Sequence, residues 1–281
     1  MRPFLKWAGG KRLLLPHIYE FIDREIIDKK CFYEPFVGGG SVFLNLNPNK
    51  CVINDLNEEL INVYRVIKDN PFELIELLKE HKELHNKEYY YMVRAYDRDE
   101  EKYKQMSNIE KAARTIYLNK TCYNGLYRVN RNGYFNTPVG RYVNPLICDE
   151  ENILEVSSYL NKNKIKITSV DFEKAVKNAR NGDFVYFDPP YDYETSGFVG
   201  YVKEGFNRDD LRRLKITCDS LIKRGCKVLI SNNDTTFVRE LFEEENYEII
   251  YRTKTIKANR NINSKKTRNK VDEVLIYGKS K

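Results

Sequence analysis

The chain has 281 residues, 41% hydrophobic and 32% charged, enough for one sizeable core with an insertion or for two domains. No run of about 18 apolar residues occurs, so a transmembrane helix is excluded, and MRPFLKWAGGKR lacks the apolar segment and cleavage site of a secretory leader, which points to a cytoplasmic protein. Lys and Arg number 48 against 41 Asp and Glu, a net charge of +7, too modest an excess to name a partner by itself.

In chain order, a helical pattern over 11–24 follows the opening FLKWAGGKR. Apolar β-like runs then occur at CFYEPF (31–36) and CVIND (51–55), with a helix expected over 58–68. From Pro71 to about Leu160 the pattern is helical and charged, broken by the Gly- and Asn-rich stretch CYNGLYRVNRNGYFNTPVGRYVNP (122–145), so 61–160 reads as a mainly helical insertion. β-like runs resume at KIKITSV (164–170), FVYFD (184–188) and KVLIS (227–231), with helices expected over 209–223 and 236–245. Strands alternating with helices predict an α/β fold with a mostly parallel sheet covered on both faces. The last two runs, YEIIYRT (247–253) and DEVLIYG (272–278), have no helix between them and are expected to pair as an antiparallel hairpin at one edge.

Four stretches carry chemistry. YEPFVGGGS (33–41) runs from a strand into three glycines, a turn that lets backbone approach a ligand closely. Its spacing is not GxGxxG, and WAGGKR (7–12) is not a phosphate-binding P-loop, since Leu5 and Arg12 stand where Gly and Ser or Thr are needed. In INDLN (53–57), Asp55 ends the next strand, where an acid accepts ribose hydroxyls, although capping the helix from Glu58 is an ordinary duty there. Together the turn and the acid describe an adenosine-type ligand that demands no phosphate, and S-adenosylmethionine fits. Trp7, the only tryptophan, lies between Lys6 and Lys11, and either a core position or a ligand wall suits it. In DFVYFDPPY (183–191) a buried strand ends on Asp188, and Pro189 and Pro190 set the exit path, so that Asp188 and Tyr191 stand rigidly where α/β folds bind ligands.

Two segments, 121–148 and 252–270, carry Arg and Lys without a single acid, which favours a polyanionic partner over a pair of solvated loops. The six cysteines show no CxxC pair, so neither a metal site nor a disulfide frame is expected.

Taken in order, KWAGGK, EPFVGGGS, INDLN, the central segment, VDF, DPPY and the basic C-terminal stretch resemble the Dam-type DNA adenine-N6 methyltransferases, the alpha group of amino-methyltransferases. The resemblance spans Phe4 to about Ile276. It implies a Rossmann-like S-adenosylmethionine-dependent methyltransferase sheet (1–60 and 161–281) with an inserted target-recognition domain (61–160) that binds double-stranded DNA; the oligomeric state, monomer or weak dimer on DNA, is left open by the sequence. It places the cofactor's methionine end at Trp7, Lys11, Phe36, Gly38 and Gly40, its ribose at Asp55, and its adenine at Asp171 and Phe172, with Asp188 also within reach of the methionine. Asp188, Pro189, Pro190 and Tyr191 become the catalytic motif. Lys6, Tyr123, Asn124, Leu126, Arg128, Pro138 and Arg141 become DNA contacts, with Arg128 reading a guanine of GATC. The stretch DYETSGFVGYVKEGF after DPPY departs from the commonest family form. Cytosine-N4, RNA adenine or protein-amide methylation, and a catalytically silent nucleic-acid binder, are the rival readings.

Overall fold

The computed structural model describes residues 1–7, 10–192, 205–243, 247–259 and 270–281. Seven strands form one sheet: β1 (Phe32–Glu34), β2 (Lys50–Asn54), β3 (Lys164–Thr168), β4 (Phe184–Phe187), β5 (Lys227–Asn233), β6 (Ile249–Asn259) and β7 (Lys270–Ser280), in the order β3-β2-β1-β4-β5-β7-β6. β1 to β5 are mutually parallel, and β7 enters antiparallel between β5 and β6. The expected hairpin is therefore present, with β6 at the edge.

Side-chain alternation divides the interior into two cores. Phe184, Tyr186, Leu229 and Leu275 face one side, while Val185, Phe187, Val228, Ile230, Val274 and Ile276 face the other. Helix Arg208–Lys223 covers the second face with Leu211, Leu214, Cys218, Leu221 and Ile222. The first face belongs to the helices between β2 and β3. Among them Asn108–Thr121 is buried nearly all round, as an axial helix must be. Tyr64, Tyr90 and Tyr117 of this region share one continuous cluster with Phe32 and Ile53 of the sheet.

One local expectation needs correction. The pattern over 11–24 is not a single helix but a 3-10 turn Lys11–Leu13, a helix Leu15–Tyr19 and, after a break, a helix Arg24–Lys29. Pro16 explains the first break, because a proline is accommodated only in the first turn of a helix. Of the basic run 252–270, Arg252, Lys254 and Lys257 lie on β6, and the side chain of Lys254 is paired with Glu20, while Arg260, Lys265, Lys266 and Arg268 lie outside the described residues. Among the described residues no helix is long and apolar enough to cross a membrane.

The topology itself points to a site. From β1 the chain winds outward through β2 to β3, then returns to β4 on the other side of β1 and winds the opposite way to β5. The crevice beyond the carboxyl ends of β1 and β4 is thus the switch point, where ligands of open α/β sheets bind. The glycine turn follows β1 and DPPY follows β4.

Candidate active site

Pro35 ends β1, and the turn that follows needs glycine for steric reasons. Gly38 and Gly40 have φ of 49° and 74°, and a Cβ on Gly40 would stand 2.6 Å from the Tyr64 hydroxyl. Gly38 N–H donates to Asp55 Oδ2 at 3.1 Å, and Asn57 N–H donates to Asp55 Oδ1 at 3.0 Å. The helix Glu58–Asp69 is capped by Asn57, whose Oδ1 accepts from Leu60 N–H, so Asp55 is released from capping and faces the turn. Burial pushes its carboxyl up to about 6 against the pull of those two N–H groups.

Across the crevice Asp188 is held on both oxygens. Lys11 Nζ lies 2.8 Å from Oδ2, and Ser231 Oγ donates to Oδ1 at 2.8 Å. Tyr186 and Ser231 hydroxyls lie 2.9 Å apart, and since the Ser231 proton goes to Asp188, Tyr186 donates to Ser231. This relay exists because β4 and β5 pair in parallel with Phe187 opposite Ile230, which brings the next residues, Asp188 and Ser231, side by side. The Tyr191 ring has Lys11 Nζ 4.8 Å from its centroid, and its hydroxyl donates to Glu273 Oε2 of β7 at 3.0 Å. Burial, with Asp188 and Glu273 nearby, raises the Tyr191 phenol well above its ordinary range and keeps it protonated as a donor.

The rest of the predicted cofactor set converges on the same crevice. Trp7 lies against the glycine turn, where a Cβ on Gly38 would come within 2.9 Å of its ring. Phe36 meets Phe172 and Phe206 with ring centroids 5.6 Å apart in each case. Asp171 caps the short helix Phe172–Ala175, and its other oxygen takes Arg213 Nη2 at 3.0 Å.

The predicted DNA set forms a second group. Tyr123 N–H donates to the Pro138 carbonyl at 2.9 Å, Asn124 occupies the left-handed region at φ 54°, and Leu126 is half-buried. Arg128 is exposed, with Nε donating to Asn136 Oδ1 at 2.8 Å, which aims the guanidinium without neutralising it. Lys6 Nζ lies 4.1 Å from the Tyr142 ring centroid, and Arg141 is exposed. The two groups are joined at two points: Trp7 stacks on Tyr127 at 5.2 Å, and buried Asn119 bonds the backbone of both Lys6 and Gly125.

Sequence reasoning missed Glu34, Ser231, Glu273, Tyr127 and Asn119. Glu34 is almost wholly buried beside Asp188 and Lys11; burial raises its carboxyl well above the usual range, and its Oε2 has no hydrogen-bond partner. An acid at the end of a buried strand, in YEPF, was a readable signal. Ser231 and Glu273 carried none, because their roles come from strand register.

The model of the D12 class N6 adenine-specific DNA methyltransferases matches residues 7–261. The chain is 48% identical to the Type II methyltransferase M1.LlaDCHI of Lactococcus lactis subsp. cremoris, over 99% of this chain and 96% of that protein. It is 42% identical to the Type II methyltransferase M.MjaIII of Methanocaldococcus jannaschii, over 98% of each. Against the DNA adenine methylase of Escherichia coli K12 the identity is 33%, over 98% of this chain and 94% of that protein.

Proposed function

The chain belongs to the D12 class of N6 adenine-specific DNA methyltransferases, and we propose on that footing that its carboxyl-end crevice takes S-adenosylmethionine and a flipped adenine, with GATC in double-stranded DNA as the target. The residues present suit that cofactor. The orphaned Glu34 Oε2 beside Asp188 is an acceptor waiting for a cation such as the methionine ammonium, Asp55 suits ribose hydroxyls, and the Phe36–Phe172 pair suits a purine face. When bound, S-adenosylmethionine supplies the activated methyl group.

The observation that carries the catalytic reading is Asp188, fixed by Lys11 and Ser231 at the switch point. An ionised carboxylate has about four acceptor sites, and these two partners leave room for an N6 hydrogen of adenine. The Pro189 carbonyl accepts the other. Adenine N6 is a poor nucleophile because its lone pair is delocalised into the ring; two acceptors in place localise it and stabilise the positive charge that develops on nitrogen. Tyr191, pinned through its hydroxyl, offers a flat face for the base, which leaves the duplex at a cost of a few kcal/mol.

Residues 61–160 serve as the recognition part. Arg128 is suited to bidentate pairing with guanine O6 and N7, worth about 1–3 kcal/mol of discrimination, with Lys6 at the first G·C pair and Leu126 and Pro138 against thymine methyls. Arg141, Asn124 and Tyr123 complete the contact surface, with Tyr123 exposed for insertion where the base leaves. Tritiated methyl transfer followed by nucleoside analysis should yield N6-methyladenine. Plasmid from a host without adenine methylation, expressing this protein, should resist an endonuclease blocked at methylated GATC; modified adenines outside GATC would overturn the role of Arg128 and leave the chemistry standing.

A further inference from the structure

Asp192 follows directly on Tyr191, and every polar group it has is engaged. Its N–H donates to Asn232 Oδ1 at 2.9 Å and its carbonyl accepts from Asn233 Nδ2 at 2.5 Å. Its carboxylate takes Thr235 Oγ1 on Oδ2 at 2.8 Å and a bidentate pair from Arg208, Nε to Oδ1 at 3.0 Å and Nη2 to Oδ2 at 3.1 Å. Three elements meet on this one buried residue: the end of β5, the first residue of helix Arg208–Lys223, and helix Thr236–Glu243 through Val238 N–H on Thr235 Oγ1. The Arg208 guanidinium also lies 4.6 Å from the centroid of the Phe237 ring, which fixes its plane.

The arrangement carries a defect. Asn232 is buried and its Oδ1 receives two N–H groups, from Asp192 and Asn233, while its Nδ2 has no partner. A buried donor left without a partner is a net cost to the fold. A strand exit that needed only to reach solvent would have no use for it. Tyr191 is the residue that gains, since its hydroxyl is tied to Glu273 and the backbone that follows its ring is tied to Asn232 and Asn233.

We infer that Asp192 and Arg208 are positioning residues, which hold the Tyr191 ring at the depth and angle at which the flipped base stacks. The inference rests on the stacking role proposed above for Tyr191. Neither residue touches substrate; both act through the ring.

The test uses the full chain with Asp192→Ala, Arg208→Gln and Tyr191→Ala on two duplexes: one with adenine at the target, for methyl transfer, and one with 2-aminopurine there, which has no N6 to methylate and reports base stacking by its emission. Asp192→Ala should slow single-turnover methyl transfer about tenfold to a hundredfold, the scale of a misplaced group. It should also brighten the bound 2-aminopurine, whose emission is quenched on a stacked ring, and leave the KM for S-adenosylmethionine within about twofold, as a group remote from the cofactor should. Arg208→Gln should move both readouts the same way by less, and stands in where Asp192→Ala fails to fold. A variant with lowered Tm but wild-type rate and emission would reduce the network to a structural tie and overturn the inference. Unchanged rate and emission in Tyr191→Ala would instead overturn the stacking role itself, a failure the Asp192 and Arg208 variants cannot mimic.

Discussion

The carboxyl-end crevice and a cleft along β2 and β3 hold comparable numbers of charged groups and arrange them differently. Along one face of β2 and β3, from Lys50 and Lys164 at their amino ends to Thr168 and Val170 at the other, runs a cleft of about 510 Å³ lined by Lys50, Lys164, Lys166, Lys174 and Arg180, all exposed and, among the described residues, none paired with a carboxylate. Asp183 sits in the same cleft but is taken up by the N–H groups of Cys31 and Arg180. Lys50 and Lys164 even stand directly opposite in the β2–β3 register. At the carboxyl ends Lys11, Asp188 and Glu273 are held partly or wholly out of water, each bonded to a group from another segment. Charge density therefore does not mark the site. What marks it is desolvated charge with fixed partners, where electrostatic effects are several times larger than in water.

Removing a group at the carboxyl end should have the largest effect. Asp188→Ala should lower single-turnover methyl transfer by about 10²–10³-fold or more, with far-ultraviolet circular dichroism unchanged because Asp188 belongs to neither apolar core. Activity within a few-fold of wild type would break the comparison outright.

Asp55 comes next, with a pH signature. Its carboxyl is pushed up to about 6 from an ordinary 3.8. A raised carboxyl favours the protonated folded form, so its contribution to stability is complete below about pH 4 and is lost as pH rises through about 6. Ribose hydroxyls donate best to the ionised form, so the KM for S-adenosylmethionine should fall as pH rises from 5 to 7, and Asp55→Asn should flatten that dependence. A wild-type KM flat across pH 6 would remove Asp55 from the cofactor site.

Two glycines sharpen the contrast in stability. Gly40→Ala places a Cβ 2.6 Å from the fully buried Tyr64 hydroxyl at φ 74°, and should lower stability by about 1–3 kcal/mol. At the amino end Gly182 has φ 85°, but its added Cβ would meet the flexible end of Lys30 at 2.8 Å, so Gly182→Ala should cost the backbone term alone. Thermal melts of the two variants check the order. The smallest effect should come from Lys164→Glu, which turns a like-charge pair into an opposite one: stability should rise by a few tenths of a kcal/mol with the methyl-transfer rate unchanged. A large loss of rate would show that the cleft along β2 and β3 contributes to catalysis after all.

Much of this was legible in the residues. Runs of five to seven residues rich in apolar and β-branched side chains located the parallel strands within a residue or two: β4 is apolar throughout because both its faces are buried, while β3 alternates Lys with Ile because one of its faces is exposed. The helix over 11–24 was misjudged because periodicity alone does not weigh Pro16. Trp7, Gly38, Asp55 and Asp188 were found because local chemistry singles them out: an aromatic, a left-handed turn, and acids at strand ends. Glu34, Ser231 and Glu273 were not.

By itself, then, the sequence determined the alternation of strands and helices and the positions of the glycine turn and DPPY, since each depends on neighbours within a few residues, and membership of a methyltransferase class, since the order of such short motifs along the chain can be read without the fold. Only the tertiary structure decided which groups complete the site. Ser231 reaches Asp188 because β5 pairs beside β4 in one register, and Glu273 reaches Tyr191 because β7 inserts antiparallel next to β5. Asp192 meets Arg208 because helix Arg208–Lys223 begins beside the exit from β4. Register and strand order are set by the packing of two whole cores, and no short stretch of sequence contains them.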